Sequence, residues 1–384
     1  AVIKGRVDGL EARVGEFEAG QFSRTTVLTG DAAFIVGSAF NEADGPATES
    51  TTMEYAYNLY MNTSFNGDDL LFSSIETGNV GDHFVDGSMT LGASGEGGDA
   101  LSIGELWYQF PINDEINVWV GPKIENVTMV SSSPSIYGEV LDQFANGGNG
   151  PVYGSAVLPG FGAAWTQSTD DPNDGRWEFS AAYTAENGTS STDNQGMFGD
   201  DAKSALLIKS GYGTPRWQVS LAASVKDTGW EDTGFSTDVG SDRHADSSST
   251  NIGLRAYWKP EEAGWIPAIQ FGYDQANIDD NPTTADDSYA DEAAGWMLGF
   301  GWDDVIMDGN SAGLAFGQRV HATSMSANSE RWDGAHDTFS WEAYYTFKVS
   351  DNVSVTPALF ANQSPNDGFL DDNNGVVVLT QFTF

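Results

Sequence analysis

From residue 24 to the carboxyl terminus, apolar and polar residues alternate at every second position, and the alternating runs are joined by connections that are short and long by turns. Trp217, Val219, Leu221, Ala223 and Val225 alternate with Gln218, Ser220, Ala222, Ser224 and Lys226. Phe339, Trp341, Ala343, Tyr345 and Phe347 alternate with Ser340, Glu342, Tyr344, Thr346 and Lys348. A period of two is the side-chain period of a β-strand. The pattern predicts strands near 25–37, 52–64, 69–77, 102–110, 115–125, 160–168, 175–185, 202–212, 215–226, 249–259, 265–275, 292–302, 310–321, 337–348, 352–363 and 375–384. Short connections such as Asn66-Gly67-Asp68, Asn113-Asp114, Gly213-Thr214-Pro215 and Ser350-Asp351 have turn chemistry. The long ones, near 38–51, 78–101, 126–158, 186–201, 227–248, 276–291, 322–336 and 364–374, all fall at the other end of the strands. A β-sandwich has no reason to gather its long loops at one end; outer-membrane barrels do so and have an even strand number. The predicted fold class is all-β: a 16-stranded antiparallel transmembrane β-barrel over residues 24–384.

Closure removes a difficulty posed by the last ten residues, GVVVLTQFTF, which end on a bare aromatic, Phe384. In an open sheet that edge would recruit other chains, whereas in a barrel the last strand pairs with the first. Aromatics toward strand ends, among them Trp177, Tyr183, Trp258, Trp265, Trp296 and Trp302, fit interfacial girdles. Pro357 lacks an N–H, so a local bulge or a missing ladder bond is expected there. The formal charge of −40, from 56 acidic and 16 basic residues, excludes a general nucleic-acid binder, which needs a basic footprint. The absence of cysteine rules out disulfides and thiolate metal sites. No phosphate loop, His-Glu-x-x-His or Gly-x-Ser-x-Gly elbow occurs, and the four histidines are scattered, so neither an enzyme nor a cofactor is expected. The acidic pairs Asp279-Asp280, Asp286-Asp287 and Asp371-Asp372 would admit Ca2+ but lack EF-hand spacing; a hydrated, non-adhesive surface is the plainer account.

Residues 1–20 differ from the rest. Ile3, Val7, Leu10, Val14 and Phe17 are spaced four, three, four, three, a heptad seam that predicts a short amino-terminal coiled-coil helix. The stretch LEARVGEFEAGQFSRTTVLTGDAAF, residues 10–34, resembles the junction in cyanobacterial outer-membrane porins of the OprB-like and iron-uptake types. There a periplasmic coiled coil enters the first barrel strand through a Gln-Phe-Ser-x-Thr-Thr step, matched by Gln21, Phe22, Ser23, Thr25 and Thr26. The aromatic last strand resembles theirs as well, with Phe384 as part of the signal for the barrel-assembly machinery. The resemblance implies the cell outer membrane, a periplasmic amino terminus, contact with the bilayer and lipopolysaccharide, a homotrimer, and passage of carbohydrate, iron or inorganic ions. Such porins usually carry an S-layer-homology domain ahead of the coiled coil. Residues 1–384 do not contain one, so wall anchoring is not expected of them.

The longest connection, near 126–158, is poor in charge, with only Glu139 and Asp142. In general porins the loop at this place folds into the lumen and narrows it, and low charge suits such burial. An inward-folded constriction loop is therefore expected, with a helix-like piece at 137–144, a Gly-rich turn at 147–150, and Tyr137, Glu139 and Asp142 lining the constriction. The stretch Asn149-Gly150-Pro151-Val152-Tyr153 resembles the Asn-Pro-x-Tyr exit of this loop in cyanobacterial porins, interrupted by Gly150. On the wall, Lys123, Arg176, Lys209, Lys226, Arg255, Arg319 and Lys348 point away from the apolar face. A charge facing lipid at the midplane costs about 2–4 kcal/mol, so these side chains are expected in the lumen. There they either set the pore's field or pair with inward carboxylates such as Glu54, Glu178 and Glu342. The expected function is a porin, a passive diffusion channel for inorganic ions and small hydrophilic solutes. The alternative is a structural or adhesive surface barrel presenting acidic loops.

Overall fold

The computed structural model describes residues 25–41, 50–80, 99–148, 150–154, 156–230, 247–279, 290–325, 339–362 and 373–384. The heptad seam of residues 1–20, and the acidic pairs Asp286-Asp287 and Asp371-Asp372, lie outside them. Sixteen strands are formed: β1 (Thr26–Asn41), β2 (Thr52–Thr63), β3 (Leu70–Gly78), β4 (Ser102–Asn113), β5 (Ile116–Ile124), β6 (Leu158–Thr166), β7 (Arg176–Ala185) and β8 (Ser204–Thr214). The second half comprises β9 (Trp217–Asp227), β10 (Ser248–Trp258), β11 (Ala268–Asp279), β12 (Ala290–Asp303), β13 (Ser311–Met325), β14 (Phe339–Ser350), β15 (Val353–Asn362) and β16 (Asn373–Thr383).

Each strand pairs antiparallel with its sequence neighbours, and β1 pairs with β16, so the sheet closes into a barrel. The seam runs from Asp31↔Thr383 to Asn41↔Asn373, and Phe384 exchanges both backbone hydrogen bonds with Gly30 at 2.8 and 2.9 Å. No edge is left to recruit another chain. The ladder of β14 on β15 lapses between Tyr344↔Ala358 and Phe347↔Val355 without a register shift, across from Pro357, which has no N–H to give.

The two faces of the wall are the reverse of those in a soluble sandwich. Along β9, Trp217, Val219, Leu221 and Val225 are exposed, while Gln218, Ser220, Ser224 and Lys226 are buried. Apolar side chains therefore point out and polar ones in, the arrangement a bilayer requires. Rings gather on the outside near the short turns, where Trp177, Tyr212 and Trp217 follow one another at 4.9 and 5.9 Å. A second group, Phe161, Tyr183 and Phe198, lies at the long-loop end with centroids 5.5 to 6.1 Å apart. Rings at both polar boundaries suit an amphipathic interface.

The short turns are built by carboxylates. Between β2 and β3, Asp69 accepts hydrogen bonds from the Phe65 and Asn66 N–H groups, the Ser64 hydroxyl and the Tyr108 hydroxyl, while Gly67 takes a φ of +99°. Between β4 and β5, Glu115 accepts from Trp165 Nε1 and Ser168 N. Hydrogen bonding to the charged form, led by the Asn66 N–H for Asp69 and the Ser168 N–H for Glu115, holds both carboxyls below their usual range.

Candidate functional site

The connection after β5 runs along the inside of the wall. It leaves Ile124 through a 3-10 turn, Asn126–Met129, whose Met129 packs with Ile124, Trp119, Ala164, Ala182 and Leu207 in a buried apolar cluster. The chain then crosses one strand after another. Ser131 N and Oγ meet Ser180 and Glu178 of β7. Ser132 receives Lys209 Nζ from β8 on both its carbonyl (2.8 Å) and its hydroxyl (2.6 Å), and its hydroxyl donates to Gln218 of β9. Gln270 of β11 accepts the Ile136 N–H and donates to the Pro134 carbonyl. The Tyr137 ring lies against Gly299 of β12, where a Cβ would come within 2.8 Å of it.

The leading edge of this loop ends on β14. Glu342, 0 % exposed, accepts three hydrogen bonds: from Tyr137 OH (2.9 Å) and Val140 N (3.1 Å) on Oε1, and from Leu141 N (2.7 Å) on Oε2. With these amides committed to β14, residues 137–140 are not helical; the 3-10 segment starts later, at Asp142–Gly147, and kinks at Asn146 with φ of +52°. Val140, Leu141 and Phe144 join Ile35, Phe360, Val377 and Leu379 of β1, β15 and β16 in one apolar cluster. The loop thus reaches from one side of the barrel to the other.

Its return is fixed at a checkerboard on β10 and β11. Arg255 pairs across the ladder with Gly272, and Asp274 with Gly253. Each long side chain therefore faces a glycine, and the two meet diagonally as an ion pair of 2.7 Å at 2 % and 1 % exposure. Arg255 Nε donates to the Asn146 carbonyl at 2.7 Å, and the guanidinium lies 5.3 Å from the Tyr153 ring centroid. Gly147 and Gly150 come so close that a Cβ would meet Arg255 Cδ at 2.6 Å and Asp274 Cγ at 1.8 Å. A lone buried guanidinium would be costly; here a carboxylate, backbone carbonyls and an aromatic face surround it.

The cations that alternation turned inward have separate fates. Arg255, Lys209 and Lys226 are at most 2 % exposed, and each holds the loop or the rim: Lys226 lies 5.6 Å from the Trp230 ring centroid. Arg319 of β13 interacts with Asp142. Arg176 faces inward at the short-turn end, near Tyr257 and Glu178. Lys123 departs from the expectation. A register shift between Gly121 and Ile124 sets it across from Leu106 of the outward face, and its Nζ donates to the Ile103 carbonyl. Lys348 also departs: it is exposed at the end of β14 and pairs with Asp351 of the adjoining turn at 2.9 Å. Glu178 accepts hydrogen bonds from Ser131 of the loop and Gln218 of β9 and also lies in the field of Lys209, whereas the oxygens of Glu342 are filled by loop donors.

The loop entrance is acidic. Glu105 of β4, Asp142 of the loop and Glu76 of β3 each act on Glu125 there, and Glu76 acts on Glu105. Glu76 accepts from Ser74 and Glu105 from Trp107 Nε1, both neutral donors. Burial, then Glu105, Asp142 and Glu76 in turn, push the Glu125 carboxyl up to about 7. Burial also raises Glu139, with Asp142 adding to it. Below the loop, toward the short turns, a cavity of about 360 Å³ is bounded by Ile136, Gly138, Lys259, Asp303 and Tyr344. Among the described residues no group of three or more His, Asp or Glu is placed to hold a metal ion. Alternation alone missed Asp274, Gln270, Asn146 and the role of Glu342. The inward glycines opposite charged residues, Gly253 and Gly272, were the signal available for the first of these.

Comparison with known proteins agrees with this architecture. Residues 1–384 match the family described as carbohydrate-selective porin, OprB family. An uncharacterized protein of Nostoc sp. is 27 % identical over 431 residues, spanning 100 % of this chain and 70 % of its own length. One from Synechocystis sp. is 23 % identical over 406 residues, spanning 94 % of this chain and 69 % of its own. Among solved structures, Pseudomonas putida OprB at high pH superposes with a TM-score of 0.58 at 12 % identity, covering 94 % of both chains. A variant of the Rh. blastica porin gives a TM-score of 0.52 at 11 % identity, covering 94 % of this chain and 100 % of that one. At such identities the structural likeness speaks to the fold.

Proposed function

The chain belongs to the carbohydrate-selective porin family, the OprB family, and from that premise we infer a passive diffusion channel of the outer membrane for inorganic ions and small hydrophilic solutes, with cations favoured over anions. The observation that carries this reading is the inside-out barrel: an apolar, lipid-compatible exterior around a polar interior narrowed by the loop of residues 125–157. Such a channel needs no bond-making chemistry. Width and field decide what passes.

The field at the loop favours cations because the bases beside it are engaged while several acids there are not neutralised. Arg255 is spent on Asp274 and the Asn146 carbonyl, Lys209 on Ser132, and Arg319 faces Asp142. Glu76, Glu105, Glu125 and Glu139 have neutral or acidic neighbours. In a confined, low-dielectric passage such carboxylates raise the local cation concentration. The short-turn end, with Phe384, faces the periplasm in this reading, the long loops face outward, and the working unit is a homotrimer. Neutral sugars, the solutes in the family's description, enter by the same passage.

Proteoliposome swelling with neutral sugars of graded size tests the channel. Swelling that falls off with solute size is expected. Liposomes that swell no faster than protein-free controls, whatever the solute, would refute it.

A further inference from the structure

Glu342 is a fully buried carboxylate with no base in contact among the described residues, and its oxygens are filled by hydrogen-bond donors from a single loop. From this geometry we propose that Glu342 is a proton-operated latch: as a carboxylate it holds the leading edge of the loop, residues 137–141, on β14, and on protonation it lets that edge go, changing the aperture. The proposal rests on the channel reading above and names how that channel is regulated.

The hydrogen-bond geometry makes the latch sensitive to one proton. Tyr137 OH and Val140 N donate to Oε1, and Leu141 N donates to Oε2. All three partners are donors, so the ionised form satisfies every one. A carboxylic acid is itself a donor on one oxygen. A proton on Oε2 would confront the Leu141 N–H at 2.7 Å; a proton on Oε1 would either confront the Val140 N–H or turn toward the Tyr137 oxygen, reversing that bond and leaving the Tyr137 O–H without its acceptor. Either way at least one buried N–H or O–H loses its acceptor, a loss larger than the net worth of the bond.

Among the described residues no base faces Glu342. From the loop, the titratable groups facing it are Tyr137 and Glu139. From its own strand it faces Tyr344, whose ring lies over Gly313 and 6.2 Å from the Tyr137 centroid. Across the ladders its partners are Ala315 of β13 and Phe360 of β15, neither of which titrates. The next base along β13, Arg319, interacts with Asp142. The remaining polar anchors of the loop, Lys209 to Ser132, Gln270 to Ile136 and Arg255 to Asn146, lie before Tyr137 or after Leu141. Loss of the latch therefore leaves the edge held only by the apolar packing of Tyr137, Val140 and Leu141, while the two flanks stay hydrogen-bonded.

Two measurements on the whole protein decide the matter. The first is amide hydrogen exchange in detergent micelles, corrected for the intrinsic pH dependence, on wild type, Glu342→Gln and Glu139→Gln. Glutamine keeps the shape but sets an NH2 group among the donors, so it mimics the protonated state. Val140 and Leu141 should exchange about ten-fold faster in Glu342→Gln at pH 8, and wild type should reach that rate on acidification. Glu139→Gln should keep the wild-type protection at pH 8. The second is single-channel recording between pH 8 and pH 4. Wild type should change conductance on acidification, and Glu342→Gln should show the acid-state conductance at every pH. Equal protection of Val140 and Leu141 in wild type and Glu342→Gln would overturn the latch. So would a wild-type pH response surviving in the Glu342→Gln channel. A barrel with the expected exchange pattern but no conductance would leave the latch standing and refute the channel.

Discussion

Replacing Gly272 by alanine should undock the constriction loop without opening the barrel. The Cβ of that alanine would lie 1.7 Å from the Gly147 carbonyl oxygen and 3.4 Å from Arg255 Cδ. Ordinary contact requires the carbonyl to retreat by about 1.5 Å. That movement carries Asn146 off Arg255, whose Nε–carbonyl hydrogen bond is 2.7 Å long. A hydrogen bond from a charged donor contributes roughly 1.5–3 kcal/mol, and overpacking a closed contact costs roughly 1–3 kcal/mol. Together these are of the order of 3–5 kcal/mol against the docked loop, enough to make undocking common. The ladder is spared, because Gly272 pairs with Arg255 and Met297 through backbone atoms. Gly301, which faces open space on neighbouring β12, is the matched control. Limited proteolysis in detergent and single-channel recording read the result: Gly272→Ala should be cut within residues 137–150 and should conduct differently, while Gly301→Ala should match wild type. If Gly272→Ala were as resistant as Gly301→Ala and conducted identically, the docking geometry would be wrong.

Other perturbations probe separate parts of the account. Asp274→Asn leaves the Arg255 guanidinium buried without its anion; a cost of about 3–5 kcal/mol should appear as a lowered thermal transition in detergent. Glu125, raised to about 7 from an ordinary value of 4.5, binds its proton more readily in the folded protein. Its contribution to stability is therefore greatest below pH 4.5 and declines as pH rises through 7, while its charge, and with it the cation preference, grows over the same interval. The cation-to-anion permeability ratio should fall between pH 8 and pH 6, and Glu125→Gln should flatten that fall; an unchanged slope would remove Glu125 from the field. Asp69, held low by the turn's N–H and hydroxyl donors, works in the opposite sense. Its stabilisation is present above its ordinary value of 3.8 and lost as pH falls below it, so Asp69→Asn should lower the thermal transition at pH 7 and matter less near pH 2.

The barrel was legible in the sequence because its determinants are local. Alternation along β9 specifies which side chains face lipid, and turn residues such as Gly67 and Asp69 specify where the chain reverses. The place of the charge-poor connection after β5 was legible for the same reason. Its anchoring was not, because the partners are far apart in sequence: Tyr137 and Glu342 are separated by 205 positions, and Ile136 and Gln270 by 134. Alternation could assign Arg255 and Lys209 to the interior but could not tell a field-setting cation from one spent on a loop carbonyl. At Lys123 alternation failed outright, since the bulge in β5 exchanges the two faces beyond Gly121.

Single-channel conductance in planar bilayers under asymmetric KCl tests the central claim most directly. The account predicts discrete conductance steps and a reversal potential of the sign set by potassium passing more readily than chloride. A bilayer that stays silent, or a reversal potential of the opposite sign, would contradict it.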